Sequence, residues 1–178
     1  MPITTATQQQ LQQLIRIVPN YPKPGIDFRD ITPLLGSPAA FALAIVSMIT
    51  PWRDAGITHV IGIESRGFIF GTPVALGLGA GFVPVRKPGK LPRTVLREAY
   101  ALEYGTDALE MHSDALQPGS RVLIVDDVLA TGGTALAAAQ LVQHAASVVA
   151  GYSVLIEVEA LGARRRMQGA RVEATLSY

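Results

Sequence analysis

Leu11, Leu14, Ile15 and Val18 recur at helical spacing against a glutamine-rich polar face, and the pattern predicts an amphipathic helix over residues 7–18. Prolines 19, 22 and 24 end it. A second helix is predicted after Ser37-Pro38, a cap followed by a residue suited to a first turn, with Phe41, Ile45, Met48 and Ile49 on its apolar side. Beyond it the period changes. Residues 59–64 and 82–86 read as strands with a helix over 67–78 between them, and Gly77-Leu78-Gly79-Ala80-Gly81 reads as that helix's C-cap and turn. Strand-like runs resume at 109–111, 121–125, 148–158 and 171–176, with a helix over 135–144. Strands alternating with helices predict an α/β fold with an open, mostly parallel sheet flanked by helices. The uninterrupted run Val122-Leu123-Ile124-Val125 marks a central strand buried on both faces. Over residues 87–98 the pattern dissolves into Pro, Gly, Lys and Arg, a polar excursion read as a mobile lid.

With 178 residues, 49% of them hydrophobic, the chain fits a single domain over 1–178 with a sizeable core. A net charge of +1 gives no global pull toward nucleic acid or anionic lipid, so any basic function must be local. The absence of cysteine excludes disulfides and thiol chemistry. No apolar run reaches the ~18 residues needed to span a bilayer, and Met1-Pro2-Ile3-Thr4-Thr5 lacks a basic region leading into an apolar core. A cytoplasmic protein with no membrane or nucleic-acid partner is expected.

The chemistry is concentrated where the central strand ends. Asp126-Asp127 are followed by Ala130-Thr131-Gly132-Gly133-Thr134 and then a helix. In open α/β sheets ligands bind outside the carboxyl ends of strands, and a glycine turn at a helix start lets backbone N–H groups converge on an anion. Two adjacent carboxylates at a buried strand end repel each other unless donors or positive charge are supplied. A sugar cis-diol supplies donors, and a divalent cation such as Mg²⁺ supplies charge. The run therefore reads as a site for a phosphorylated sugar. No G-x-x-x-x-G-K-[ST] motif exists, which excludes a P-loop triphosphatase. His59, His112 and His144 lack metal-ligand spacing, Arg164-Arg165-Arg166 reads as a solvated face, and Trp52 carries no evident chemistry.

The Asp-Asp-x-x-A-T-G-G-T run resembles the phosphoribosyl pyrophosphate (PRPP) motif of the type I phosphoribosyltransferase family, and within it the branch acting on adenine. Residues 21–35, Glu64-Ser65-Arg66-Gly67-Phe68, Arg86-Lys87-Pro88-Gly89-Lys90-Leu91-Pro92 and Leu102-Glu103-Tyr104-Gly105 resemble that family's other segments, in its order. The resemblance implies transfer of the phosphoribosyl group of PRPP to adenine, giving AMP and pyrophosphate, with Mg²⁺ brought mainly by PRPP and a homodimer as the assembly. It implies a small N-terminal hood over residues 1–35 and a catalytic lid over 87–104. Asp126 and Asp127 would hold the ribose, residues 130–134 the 5′-phosphate, and Ser65, Arg66, Arg86, Lys87, Lys90 and Tyr104 the pyrophosphate. The family's loop before such an arginine often carries a strained peptide bond; Ser65 also reads as a helix N-cap. Related enzymes for hypoxanthine and guanine carry an Asp where this chain has Ala130, so proton transfer falls to Glu103, which otherwise reads as a solvated loop residue. Asp27, Phe28 and Arg29 would meet the base, with Val158 on its other side; Phe28 and Val158 read equally as core residues. Asp27 stands where the family usually has an aliphatic residue. The same fold acting on orotate or hypoxanthine, and a non-catalytic PRPP-sensing regulator, are the alternatives.

Overall fold

Five parallel strands form the centre of the molecule, a computed structural model that describes residues 4–101 and 105–178. In chain order these are β3 (His59–Ile63), β4 (Gly81–Val85), β7 (Arg121–Leu129), β8 (Val148–Glu157) and β9 (Val172–Ser177), laid side by side as β4-β3-β7-β8-β9. Between β3 and β4 runs α4 (Gly67–Leu78), and between β7 and β8 runs α5 (Gly133–His144). From β3 the chain moves one way across the sheet to β4 and then back past β3 to β7. That reversal opens a crevice at the carboxyl ends of β3 and β7, the place where such sheets bind ligands.

Burial on both faces explains the unalternated apolar strands. Along β7, Val122 and Ile124 join a core with α5, while Leu123 and Val125 join a second core with α4 and with α3 (Pro38–Ile49). The second core also holds Leu11, Met48, Phe70 and Trp52, all nearly inaccessible. Ser37 caps α3 by accepting from the Ala40 amide at 3.4 Å, with Pro38 opening the first turn, as the sequence predicts. Gly79 ends α4 in the left-handed region at φ 65°, also as predicted.

Four elements differ from the periodicity reading. The first helix, α1, spans only Thr5–Gln12; Arg16–Val18 is a strand, β1, paired antiparallel with β2 (Phe28–Asp30). Leu11 and Ile15 are buried as expected, so the pattern located the apolar face while the β-branched Ile17 and Val18 took the extended form. The polar excursion is irregular only to Thr94: Val95–Ala101 is a strand, β5, paired with β6 (Thr106–His112) in a hairpin arm. Leu96 and Tyr100 of β5 pack on the core, and the charged residues between them hid the alternation. β7 runs to Leu129, four residues past the aliphatic run, because its pairing with β8 continues to Leu129 opposite Glu157. The arginine run is not wholly a solvated face: Arg164 donates to both oxygens of the buried Glu157, at 2.8 to 3.0 Å, and to the Val172 carbonyl. A one-turn helix α2 (Thr32–Leu35), α6 (Ala163–Arg166) and short 3₁₀ turns at Thr50–Trp52 and Glu159–Leu161 complete the chain.

Candidate active site

Three strand ends supply the site. Glu64 directly follows β3, Arg86 directly follows β4, and Asp126 and Asp127 lie in the second half of β7. Together with Ser65, Arg66, Lys87, Tyr100, Val128, Ala130 and Thr134, the two aspartates line one open cleft of about 400 Å³.

At the far end of β7 the chain turns through Ala130, Thr131 and Gly132 into α5. Gly132 sits at φ 83°, a conformation that glycine adopts without the clash a Cβ would cause. No side chain caps α5, so the first amides of the helix remain free to face the turn. Residues 130–135 curl around a small cavity of about 70 Å³, also bordered by Asp126 and Tyr152. An uncapped helix start around a pocket of that size suits a single tetrahedral anion. Behind the turn, Arg166 donates to the Thr131 carbonyl at 3.1 Å.

The aspartates are adjacent in sequence but differ in surroundings. Asp127 is 4% exposed, and its Oδ2 lies 2.8 Å from Arg66 Nε in an ion pair whose angle leaves that oxygen without a hydrogen bond. Asp126 accepts from the Asp127 amide at 2.9 Å. It also faces the start of α4, where a Cβ on Gly67 would come within 2.9 Å of its Oδ1. Burial, then the neighbouring charge of Asp127, push the Asp126 carboxyl well above the usual carboxylate range. Burial raises Asp127 as well, against the pull of Arg66. A ligand that brings hydroxyl donors or a cation stabilises the charged form of such a pair.

Opposite the aspartates stands a cationic wall organised by Glu64. The Arg86 guanidinium donates to both of its oxygens at 3.2 and 3.3 Å, the Lys87 amide donates at 2.9 Å, and Lys90 Nζ lies 3.5 Å away. Burial would raise the Glu64 carboxyl, but these donors outweigh it and hold the group below its usual range. The Lys87 ammonium turns to the arm, where it meets Tyr100 Oη at 2.7 Å and the Asp107 carboxylate. The Glu64–Ser65 peptide bond is cis. Ser65 does not cap α4; Arg66 holds the N-cap position without a side-chain bond, and the Ser65 carbonyl accepts from Phe68 N.

Of the residues singled out from sequence, Ser65, Arg66, Lys87, Asp126, Asp127, Ala130 and Thr134 meet in the cleft, and Arg86 and Lys90 join through Glu64. Thr131, Gly132 and Gly133 line the small cavity at the start of α5. Glu103 and Tyr104 lie outside the described residues. Phe28 belongs to neither core: it is half-buried, edge-on to Tyr21 at 5.2 Å, with the Arg66 guanidinium 5.1 Å from its ring. Val158 packs against the second core, Asp27 is exposed, and Arg29 stacks over the Tyr178 ring at 4.3 Å. Glu64, Tyr100 and Asp107 escaped the sequence reading. Glu64 had a signal, standing at a strand end beside Ser65-Arg66; Asp107 had none, because its partner lies twenty residues away.

Likeness to known proteins agrees with this geometry. A family model for the phosphoribosyl transferase domain matches residues 43–172. The adenine phosphoribosyltransferase of Erwinia tasmaniensis is 56% identical over 173 residues, covering 96% of this chain and 94% of the relative, and that of Escherichia coli O1:K1 is 54% identical over 167 residues, covering 92% and 91%. The crystal structure of adenine phosphoribosyltransferase from Rhodothermus marinus superposes with a TM-score of 0.94 at 52% identity, covering 98% of this chain and all of that one. The Saccharomyces cerevisiae enzyme, crystallised with an imino-altritol bisphosphate and adenine, gives 0.91 at 38% identity, covering 97% and 100%.

Proposed function

The chain belongs to the phosphoribosyl transferase family, and on that premise we propose that it transfers the 5-phosphoribosyl group of PRPP to adenine, giving AMP and pyrophosphate in purine salvage. One observation carries the reading: a carboxylate pair, with Asp127 buried and Asp126 half-buried, and a glycine turn at a helix start stand in one crevice facing a wall of cations. Asp126 and Asp127 accept the ribose hydroxyls, and their charge favours an oxocarbenium-like transition state. Residues 130–134 bind the 5′-phosphate through backbone N–H groups and the Thr131 and Thr134 hydroxyls. Arg66, Arg86, Lys87 and Lys90, with Ser65 and Tyr104, take the charge of the departing pyrophosphate. Ala130 cannot move a proton, so Glu103 exchanges one with the purine imidazole.

Phe28 stacks on adenine while the backbone of Asp27 and Arg29 reads its edge, and Val158 covers the other face. Its place outside both cores, next to Arg66, supports the stacking role. Residues 1–35 form the hood, and residues 87–104 the lid whose closure keeps water from the sugar cation.

The donor set fits Mg²⁺ only in part. Asp127 Oδ2 is buried without a hydrogen bond, yet among the described residues no group of three His, Cys, Asp or Glu side chains could hold a metal. We propose that Mg²⁺ is bound mainly through PRPP, with Asp126 and Asp127 beside it, where it would supply charge that offsets the diphosphate. We also propose a cytoplasmic homodimer that binds neither nucleic acid nor membrane. In its support, α3 and α4 carry no charged residue and leave Val46, Ile69 and Leu76 on their outer surfaces, Leu76 at 79% exposure. No described helix is long and apolar enough to cross a membrane.

Incubating the protein with PRPP, Mg²⁺ and each free base in turn tests the assignment. Adenine alone should yield mononucleotide and pyrophosphate. Preferred use of hypoxanthine or orotate would overturn the choice of base, and nucleic-acid binding without turnover would restore the regulator.

A further inference from the structure

Unlike Arg86 and Lys90, Lys87 does not direct its charged group at Glu64. Its backbone N–H is fixed by Glu64 Oε2 at 2.9 Å, while its Nζ reaches across to the hairpin arm. There it meets a closed triangle: Tyr100 Oη lies 2.7 Å from the ammonium, the Asp107 carboxylate also contacts it, and Tyr100 donates to Asp107 Oδ2 at 3.2 Å. Tyr100 and Asp107 are direct cross-strand partners, one pair short of the arm's last, Ala101 opposite Thr106. Both ends of Lys87 are therefore tied, one to Glu64 just past β3 and one to the arm.

A flexible lysine stem holds its charge in one place only if its rotamer freedom is removed, and an ion pair backed by a hydroxyl does that. Lys87 and Tyr100 line the same cleft as Asp126 and Asp127, so what fixes Lys87 fixes one positive point of the anion-binding wall. The contacts also work electrically. Burial would lower the Lys87 ammonium, but its bonds to Asp107 and Tyr100 outweigh burial and keep it charged, and the bond from Lys87 holds the Asp107 carboxyl below its usual range.

We propose that Asp107, seconded by Tyr100, is a positioning residue that sets the Lys87 ammonium for the pyrophosphate half of PRPP and ties the arm to that binding event. Asp107 itself touches no reacting atom. The inference rests on the proposed phosphoribosyl transfer, and the test keeps the two separate because the unaltered enzyme must first turn over PRPP with adenine; without turnover the transfer reading fails and not this one.

Given turnover, Asp107→Asn should raise KM for PRPP, and for pyrophosphate in the reverse direction, about tenfold while moving KM for adenine less than about twofold. Tyr100→Phe should act in the same sense by about threefold, and Asp107→Glu should recover most of the loss. In a Lys87→Met background, Asp107→Asn should add nothing further, because the group it positions is gone. An unchanged KM for PRPP overturns the proposal. So does an equal rise in the adenine KM, the mark of general damage to the arm, and so does full additivity with Lys87→Met.

Discussion

The two walls of the cleft are built in opposite ways. One is a single stretch of chain: β7, Asp126, Asp127, the glycine turn and the start of α5 follow one another without a break. The other is gathered from distant segments, with Glu64 drawing Arg86, Lys87 and Lys90 together from up to 26 positions away and Asp107 reaching back to Lys87 across 20. Their electrostatics are opposite as well. Burial raises both aspartates and the neighbouring Asp127 charge raises Asp126 further, whereas surrounding donors depress Glu64, and the Lys87 ammonium depresses Asp107. The first wall is short of positive partners and invites them from a ligand. The second is already neutralised within the protein and offers its cations in fixed positions.

If this division of labour is right, the largest effect belongs to the aspartate wall. Asp127→Asn keeps the shape, removes a charge that burial already disfavours, and should cut turnover by about 10²–10³ while leaving thermal stability within about 1 kcal/mol of the parent. Steady-state rates with calorimetric melting measure both, and a variant that merely unfolds would show the two falling together. Next comes Glu64→Gln, which frees Arg86 and Lys90 from their common anion. It should raise KM for PRPP roughly tenfold, a smaller loss because the cations remain.

pH separates the walls by sign. Glu64 and Asp107 have lowered folded-state pKa values, so the stability they contribute is present above the ordinary carboxylate range and is lost as pH falls through the depressed values. Asp126 and Asp127 have raised values, so their contribution is complete below that range and is lost as pH rises through the elevated ones. Melting curves of the ligand-free protein across the acid range should lose their low-pH slope in Glu64→Gln and their higher-pH slope in Asp126→Asn. Variant curves parallel to the parent's would remove the distinction. The smallest effect is expected outside both walls: Arg93 pairs with Asp114 where each side chain is about 60% exposed, so Arg93→Ala should change turnover less than about twofold and stability by less than ~0.5 kcal/mol.

The same contrast decides what could be read from the chain. The carboxylate pair and the turn were legible because strand, acid pair, glycines and helix are local, each with its own residue signature. The parallel sheet was legible for a similar reason, since β7 is buried on both faces from Val122 to Val125 and must be apolar at each of those positions. The β1 and β5 strands were not, because half-exposed hairpins carry polar residues and take their conformation from a partner strand, not from a period of their own. Arg164 misled for a related reason: nothing near it reveals that Glu157 is buried beneath it. Family resemblance recovered Arg86 and Lys90 as site residues and marked the Glu64 segment, while the pairing by which Glu64 assembles them is visible only in three dimensions.

Because burial raises both carboxyls, the aspartate pair should lose protons to solvent when it takes the ribose and its accompanying cation. Titration calorimetry of PRPP with Mg²⁺ at mildly acidic pH, repeated in buffers of different ionisation enthalpy, measures this directly. Net proton release is expected on binding, abolished in Asp126→Asn together with most of the affinity. Binding that releases no protons, or an asparagine variant that binds PRPP as tightly as the parent, would contradict it.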